Sequence, residues 1–415
     1  GADIITASAG TSNFRAGVNA GNSITSGGNY NVVVGDEAGT AITTGDGNVA
    51  IGYQAGDALT TSSSNTAVGY EALSTQIAYS ENTAIGYRAL KTTNGGYSNT
   101  AVGHETLMAN TNGTNNTAVG HDALAANTTG TQNVAVGSLA GDAMTTASYN
   151  TAVGYSALSS DTLGARNTAI GQEALASQNF TSATDSYNTA VGMNAGRLVT
   201  TGVRNTLIGG LAGDALTTGG YNVALGAYSL TTATTGTGNI AIGDAALNLL
   251  TTGDYNVAIG QNSLDANTTA SNNTAVGYSA LGANTTGSEN TAVGTNALDA
   301  NTTAVNNTAV GYGSLTANTD GAQNTAVGGR SMEANTTGAN NAAFGWGSLV
   351  ASTTGGSLTA LGRSALANNT TASDNTAVGW FALVGNTTGA NNTATGKQAL
   401  GANTTGANNT AHGSR

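Results

Sequence analysis

One motif, Asn-Thr-Ala-Val-Gly with close variants, recurs every seventeen residues from Asn13 to the end of the chain. It opens twenty-four units, and we number its first residue position 0 in each unit. Two units depart from the period: the first has eighteen residues, and the unit at 167–187 has twenty-one. Position 0 is Asn in every unit except the one that opens at Leu358, and position 4 is always Gly. Such a fixed period indicates one small structural unit stacked on itself.

The residue types within a unit indicate extended chain and bends. Position 3 is nearly always Val, Ile or Leu, as in Val68, and the Gly that follows is typical of a bend or of a close backbone approach. Positions 12 to 14 often read Thr-Thr-Gly, as in 285–287, which indicates a second bend. A helix would need an apolar stripe at a spacing of 3.6 residues. We therefore predict an all-β protein, a parallel β-solenoid or β-roll of about 23–24 coils with 17 residues per coil.

A substitution pattern inside the units supports this fold. Position 8 is Leu or Met in seventeen units and Gly in six. All six Gly units have a large apolar residue at position 11, as Gly39 is paired with Ile42, whereas position 11 is usually Asn in the other units. Because close-packed interiors are sensitive to volume, positions 8 and 11 are predicted to fill the same interior space. Stacked coils would also place the Asn residues of positions 0 and 11 in hydrogen-bonded ladders.

Strand alternation puts positions 1 and 3 on one face and positions 0, 2 and 4 on the other. We expect the Thr and Val residues of the first face to point into the coil. The Asn, Ala and Gly residues of the second face would then form a strip that another chain could approach. Residues 1–12 are predicted to be a lead-in to a single continuous repeat domain at 13–415.

The composition argues against several classes of protein. Only ten Lys and Arg residues are present and the net charge is −12, which disfavours binding to nucleic acid or to an anionic membrane. No apolar run is long enough for a transmembrane helix, so no membrane insertion is expected. The absence of Cys leaves the redox compartment open. A start at Gly1 without Met is typical of a processed product or a fragment.

The repeat resembles a known family. Residues 272–277, Asn-Asn-Thr-Ala-Val-Gly, resemble the Asn-x-x-Ala-Ile-Gly signature of the head repeats in trimeric autotransporter adhesins, which form parallel β-rolls. The longer pattern Asn-Thr-Ala-Val-Gly-Tyr-x-Ala-Leu is also similar to repeats in phage tail fibres. The resemblance covers residues 13–415 and implies a homotrimeric fibre with its chains side by side or intertwined. The adhesin unit is shorter, so the cross-section of the coil must differ.

The sequence assigns no catalytic, cofactor-binding or metal-binding residue, and no cofactor. His104 and His121 share position 5 in adjacent coils, an arrangement that would suit a transition metal, but position 5 is also a variable surface position. The weak candidates are exposed aromatic residues at position 5, which would either stack on sugar rings or brace neighbouring coils. They are Tyr53, Tyr70, Tyr87, Tyr155, Tyr278, Tyr312, Trp346 and Trp380. The four extra residues of the unit at 167–187 indicate either a binding loop or a tolerated bulge.

These observations favour a structural or adhesive fibre shaft, not an enzyme. We expect an extracellular or virion-surface protein, a tail fibre or a cell-surface adhesin that attaches to a host surface. Its predicted partners are copies of itself and a host-surface glycan or protein. One alternative is an extracellular filament assembled by end-to-end stacking of solenoids, because open solenoid ends can pair edge to edge. A second alternative is a glycan-degrading tailspike with carboxylates in a groove between chains.

Overall fold

A computed structural model of the 415-residue chain describes residues 4–5 and 9–414. Parts of the predicted lead-in, residues 1–3 and 6–8, and Arg415 lie outside the described residues. The described chain is an all-β parallel solenoid of about 23 coils with 17 residues per coil, and it contains no helix. The prediction of a parallel β-solenoid is therefore confirmed. Within the described residues there is accordingly no helix that could cross a membrane.

The chain divides into two compact units, residues 1–205 and 206–415. In both units each repeat contributes a three-residue strand at positions 1 to 3. Neighbouring strands pair in parallel and in register, so that Ala275 lies opposite Ala292. An exception is the short β1, which pairs with β2 in the antiparallel direction.

The strands of the first unit are β1 (Ile4–Ile5), β2 (Phe14–Ala16), β3 (Val32–Val34), β4 (Val49–Ile51), β5 (Thr66–Val68), β6 (Thr83–Ile85), β7 (Thr100–Val102), β8 (Thr117–Val119), β9 (Val134–Val136), β10 (Thr151–Val153), β11 (Gly164–Ala165), β12 (Thr168–Ile170), β13 (Thr184–Asp185) and β14 (Thr189–Val191). Those of the second unit are β15 (Thr206–Ile208), β16 (Val223–Leu225), β17 (Ile240–Ile242), β18 (Val257–Ile259), β19 (Thr274–Val276), β20 (Thr291–Val293), β21 (Thr308–Val310), β22 (Thr325–Val327), β23 (Ala342–Phe344), β24 (Thr359–Leu361), β25 (Thr376–Val378), β26 (Thr393–Thr395) and β27 (Thr410–His412).

The Asn at position 0 is buried and satisfies backbone groups in two coils. In the first unit, Oδ1 of Asn99 accepts a hydrogen bond from the backbone N–H of Asn116 at 3.0 Å. Nδ2 of Asn99 donates to the carbonyl of Gly113, in the second bend of its own coil, at 2.9 Å. Buried backbone groups without partners are costly, so this one side chain both closes a coil and joins it to the next. The predicted Asn ladder at position 0 is confirmed.

A second ladder, at position 11, is also present. Nδ2 of Asn301 donates to Oδ1 of Asn284 at 2.8 Å and to the carbonyl of Ala304 at 3.1 Å. The ladder continues in the next coil, where Nδ2 of Asn318 donates to Oδ1 of Asn301 at 3.2 Å. These amides are fully buried, and the ladder links them from coil to coil. The carbonyl of Ala304 also accepts a hydrogen bond from Nδ2 of Asn290, the position-0 residue of the same coil, at 2.8 Å.

The Gly at position 4 is required by both backbone conformation and space. At Gly277 φ is +138°, a region that L-residues with a side chain rarely adopt. A Cβ atom on Gly277 would also lie 2.6 Å from the carbonyl carbon and oxygen of Gly294 in the next coil. Because the obstacle is backbone, a shift of a flexible side chain cannot relieve the clash. The two reasons predicted for this glycine, positive φ and crowding, therefore act together.

The predicted orientation of the strands is wrong. Positions 0 and 2 point into the coil: Asn273 and Ala275 are fully buried, whereas the Thr and Val residues at positions 1 and 3 face outward. The interior is narrow beside the strand, so Ala fits there, and the buried Asn is needed for the bends. The Asn-Ala strip proposed as a contact between chains is therefore interior and unavailable to a partner. The outward face has β-branched residues, which suit the surface of a pleated sheet.

The prediction that positions 8 and 11 fill one space is confirmed. Leu73 at position 8 is fully buried, and so is Ile42 at position 11 of a Gly-type coil. A Cβ atom added to Gly39, at position 8 of that coil, would lie 2.8 Å from Cδ1 of Ile42. The backbone at position 8 is left-handed in both kinds of coil, with φ of 52° at Leu73 and 51° at Gly39. A leucine in this conformation costs roughly 1–2 kcal/mol, which the burial of its side chain offsets.

Candidate interaction surface

The outward face of the strands is a continuous uncharged surface within each unit, with, in most repeats, Thr at position 1 and an aliphatic residue at position 3. It consists of positions 1 and 3, which are Thr, Val, Ile, Leu, Ala or Phe in almost every coil. No Asp, Glu, Lys or Arg occurs at either position in any of the twenty-four repeats, although the chain has 32 residues of these types (10 basic and 22 acidic). The side chains are only partly covered: Ile85 is 38% exposed and Leu225 44% exposed. We call positions 1 and 3 together the strand face.

A row of stacked aromatic rings borders the strand face of the first unit at position 5. Tyr53, Tyr70 and Tyr87 stack with ring centroids 5.3 and 5.4 Å apart. The row continues through His104, 5.0 Å from Tyr87, to His121, 4.8 Å further on. Because the rings cover one another's faces, mainly their edges are open to solvent. The stacking joins the side chains of adjacent coils.

The position-5 aromatics of the second unit are arranged differently. Tyr278, Tyr312, Trp346 and Trp380 occur in every second coil and are all exposed. Arg363 lies over the ring of Trp346 at 5.3 Å, and Lys397 lies over Trp380 at 5.0 Å. In the coils that follow Tyr278 and Tyr312, position 5 is a small residue, Thr295 or Gly329.

The structure therefore groups three of the predicted aromatic residues, Tyr53, Tyr70 and Tyr87, in one stack. Among the described residues, no ring or cation contact joins Tyr155, Tyr278 or Tyr312 to a neighbour. Their ring faces are consequently more accessible to a flat ligand than those of the stacked tyrosines.

A second aromatic row was missed by the sequence analysis; it lies at the last position of the repeat, which is position 16 in a seventeen-residue unit. It lies at the other end of the strands, just before the buried Asn, and its members have left-handed φ values, such as 64° at Tyr149. The exposed tyrosines of this row are Tyr30, Tyr149, Tyr187, Tyr221 and Tyr255. The available signal was a Tyr directly before the opening Asn in five units. The strand face is thus bordered by aromatic residues at both ends of its strands.

The twenty-one-residue repeat adds a pocket to this second row. This repeat contains β13, which pairs with β11 of the preceding coil. Arg166 lies over the rings of Tyr149 and Tyr187, at 4.6 and 5.8 Å, and its Nε is 3.1 Å from Oδ1 of Asp185. A pocket of ≈410 Å³ is lined by residues that include Tyr149, Leu163 and Asp185. The insertion therefore forms an ordered concave feature beside an aromatic row.

Charged groups are sparse, and a few are partly buried. Glu71 accepts hydrogen bonds from Lys91 at 2.6 Å and Arg88 at 2.9 Å, and these partners lower the pKa of its carboxyl. At position 9 the effect is opposite, because burial raises the pKa of Asp57 to about 6. Burial likewise raises the pKa values of Asp142, Asp265 and Asp299. These position-9 carboxyls belong to separate coils and form no paired acid and base.

One cluster within the described residues has the composition of a metal site. His104, His121 and Asp122 each offer one ligand atom, and these atoms lie within 4.8 Å of one another. Both histidines are exposed and Asp122 is half-buried.

Comparison with known protein families and with curated proteins brings no match for this chain. The class that the fold defines is that of parallel β-solenoid repeat proteins with a seventeen-residue coil.

Proposed function

We propose that this protein is a structural and adhesive fibre shaft that associates with copies of itself through the strand face. The observation that carries the proposal is the absence of charge from positions 1 and 3 in all twenty-four repeats, although these side chains face outward. A surface that meets only water has no reason to exclude charge so consistently. Exposed rows of aliphatic side chains, such as the row at position 3, are typical of protein–protein contacts.

The occupant that fits the strand face best is another copy of the same chain. A second copy has the same spacing between coils, so its rows of Val and Thr would match row by row along the contact. Each unit has one such face, and three copies of a unit that turn this face toward a common axis would bury it. Closed symmetry of this kind is usual for homo-oligomers. The resemblance of the repeat to trimeric adhesin heads and tail-fibre repeats favours three chains.

The mass of the native particle tests the assembly. Analytical ultracentrifugation or light scattering is expected to give three times the 40.3 kDa mass of the chain. Val276→Glu and Val310→Glu place charges on the strand face and are expected to release monomers that keep the β-sheet circular dichroism spectrum. Thr286→Glu, at an exposed position away from the strand face, is the matched control. A wild-type protein that stays monomeric at all concentrations would refute the proposed contact.

The proposed adhesive role places the protein outside the cell or on a virion, where it would bind a host-surface glycan or protein. Exposed aromatic rings with polar groups are suited to sugar stacking, and Tyr278 and Tyr312 offer the more open ring faces. We expect glycan-array binding that is weakened when both are replaced by Ala, whereas Tyr70→Ala in the stacked row has little effect. Long threads in electron micrographs would favour the filament alternative, and glycan turnover would favour the tailspike.

A further inference from the structure

We propose that His104, His121 and Asp122 form a binding site for a divalent transition-metal ion on the surface of the first unit. This site is independent of the proposed fibre function. The repeat brings its ligands together: His104 and His121 occupy position 5 of adjacent coils, and Asp122 follows at position 6. The in-register stacking of the coils therefore fixes their proximity.

The distances are close to those that a metal ion requires. Nδ1 of His121 lies 3.2 Å from Oδ2 of Asp122, and Nδ1 of His104 lies 3.9 Å from Oδ1 of the same carboxylate. The three ligand atoms lie within 4.8 Å of one another. Bonds of about 2.0–2.2 Å to a tetrahedral ion place ligand atoms roughly 3–4 Å apart. A tilt of the two imidazoles toward each other would bring their nitrogen atoms to this separation. The two side chains are 47% and 57% exposed, so they have room to tilt.

The carboxylate has unused binding capacity. Oδ1 of Asp122 is buried and lacks a hydrogen-bond partner in the structure, and a buried polar atom without a partner is costly. The atom lies on the side of the carboxylate nearer to His104, at the 3.9 Å distance given above. A bound cation would satisfy this oxygen and use the imidazole nitrogens at the same time.

The local charge also favours a cation. Residues 92–165 contain no Lys or Arg, whereas they contain Glu105, Asp122, Asp142 and Asp161. The nearest basic group, Arg88 in the preceding coil, is paired with Glu71 at 2.9 Å and lies 3.7 Å from Glu105. Acidic groups without competing cations raise the local concentration of positive ions.

The ligand set determines the class of ion. Two imidazoles and one carboxylate suit zinc, cobalt, nickel or copper, whereas calcium and magnesium prefer sites made only of oxygen ligands. With three protein ligands, water would complete the coordination. The coordination position filled by water would resemble the open position of solvent-accessible zinc sites. Structural zinc sites, in contrast, have four protein ligands and no open position.

Isothermal titration of the full-length, tag-free chain with zinc chloride tests the site. We expect one zinc ion per chain, and a higher melting temperature in its presence because the ligand binds only the folded state. His104→Ala, His121→Ala and Asp122→Asn are each expected to weaken binding at least about tenfold. His412→Ala removes the third histidine of the chain, far along the sequence, and should leave the affinity unchanged.

Two further measurements separate this site from non-specific binding. Magnesium in large excess should not displace zinc, because imidazole nitrogens are poor ligands for it. Circular dichroism of each variant without metal reports whether the coil is intact. Zinc binding that persists in the double variant H104A/H121A, or several weak sites insensitive to all three substitutions, would overturn the proposal. The absence of any zinc binding by the wild-type chain would do the same.

Discussion

Oδ1 of Asn273 accepts a hydrogen bond from the backbone N–H of Asn290 in the next coil, at 2.9 Å. The amide nitrogen of the same side chain donates to the carbonyl of Gly287, also at 2.9 Å. The side chain is fully buried, so water cannot replace either bond. This relationship explains why position 0 is nearly invariant: each Asn connects its own bend to the backbone of the following coil.

Replacement of Asn273 by Ala is expected to loosen two coils at once. The N–H of Asn290 would lose its partner, and an unpaired buried group costs about 1–3 kcal/mol. The carbonyl of Gly287 would lose one of its two donors and keep the hydrogen bond from Nδ2 of Asn284 at 2.9 Å. Hydrogen exchange measured by mass spectrometry should show faster exchange of peptides that contain residues 273–290. Thr286→Ala, at an exposed position in the same coil, should leave exchange in these peptides unchanged. Equal protection in both variants would contradict the role assigned to Asn273.

Position 4 gives a second prediction. Gly277→Ala would place a methyl group 2.6 Å from the backbone of Gly294 at a φ of +138°. Left-handed strain alone costs about 1–3 kcal/mol, and the clash adds to it, so a loss of at least about 3 kcal/mol in the free energy of unfolding is expected. Gly210→Ala is the matched control, since a Cβ atom there has no neighbour within 4 Å. Denaturant titration of both variants distinguishes a specific requirement at position 4 from a general effect of replacing Gly.

The period and the residue types were enough to predict the fold because identical coils repeat the same constraint. Steric reasoning accounts for Gly277 through positive φ and backbone crowding, and for the exchange between positions 8 and 11 through shared interior space, and these explanations hold in the structure. Strand alternation, by contrast, establishes which residues share a face without establishing which face is inside. The apolar character of Val276 pointed to the interior, whereas the small size of Ala275 and the hydrogen bonds of Asn273 decide the matter.

The candidate surfaces were only partly predictable for a similar reason. Position 5 was recognised as an aromatic row, but the sequence could not show that Tyr53 and Tyr70 cover each other's faces. The row at position 16 was missed because its tyrosines, such as Tyr149, are interspersed with Arg, Asn and Ser. The proximity of His104 and His121 followed from the register, whereas the unpaired oxygen of Asp122 required coordinates.

Gln76 gives a prediction of increased stability. It occupies position 11 and is fully buried, yet neither Nε2 nor Oε1 has a hydrogen-bond partner. The preceding coil has Leu59 at the same position, so the amide meets an apolar side chain where other coils have an amide ladder. Gln76→Leu removes two unsatisfied groups with little change of volume. We expect it to stabilise the protein by about 1–3 kcal/mol.

The same substitution at Gln178 should have the opposite effect. Gln178 also lies at position 11, but its amide donates to Oδ2 of Asp161 at 2.7 Å and accepts from Nδ2 of Asn188 at 2.7 Å. Gln178→Leu would remove one hydrogen bond from each of these two buried side chains and is expected to lower the melting temperature. Asp161 would keep its bond from the backbone N–H of Gly164, and Asn188 would keep its bond to the carbonyl of Gly202. If thermal melts place both variants on the same side of the wild type, hydrogen bonding does not control stability at position 11.

Asp57 makes stability depend on pH. Burial raises the pKa of its carboxyl to about 6 from an ordinary value of 3.8, and the nearby Glu37 and Glu71 act in the same direction. Between these two values the folded chain holds a proton that the unfolded chain has released, so the free energy of unfolding decreases as the pH rises from about 4 to about 6. Asp57→Asn keeps the shape of the side chain and cannot ionise. Its melting temperature should therefore exceed that of the wild type at pH 7.5 and match it at pH 3.5.

Asp374→Asn, at an exposed position, is the control and should follow the wild type at both pH values. A difference between the Asp57 variant and the wild type that stays constant from pH 3.5 to 7.5 would show that titration of this carboxyl does not affect folding.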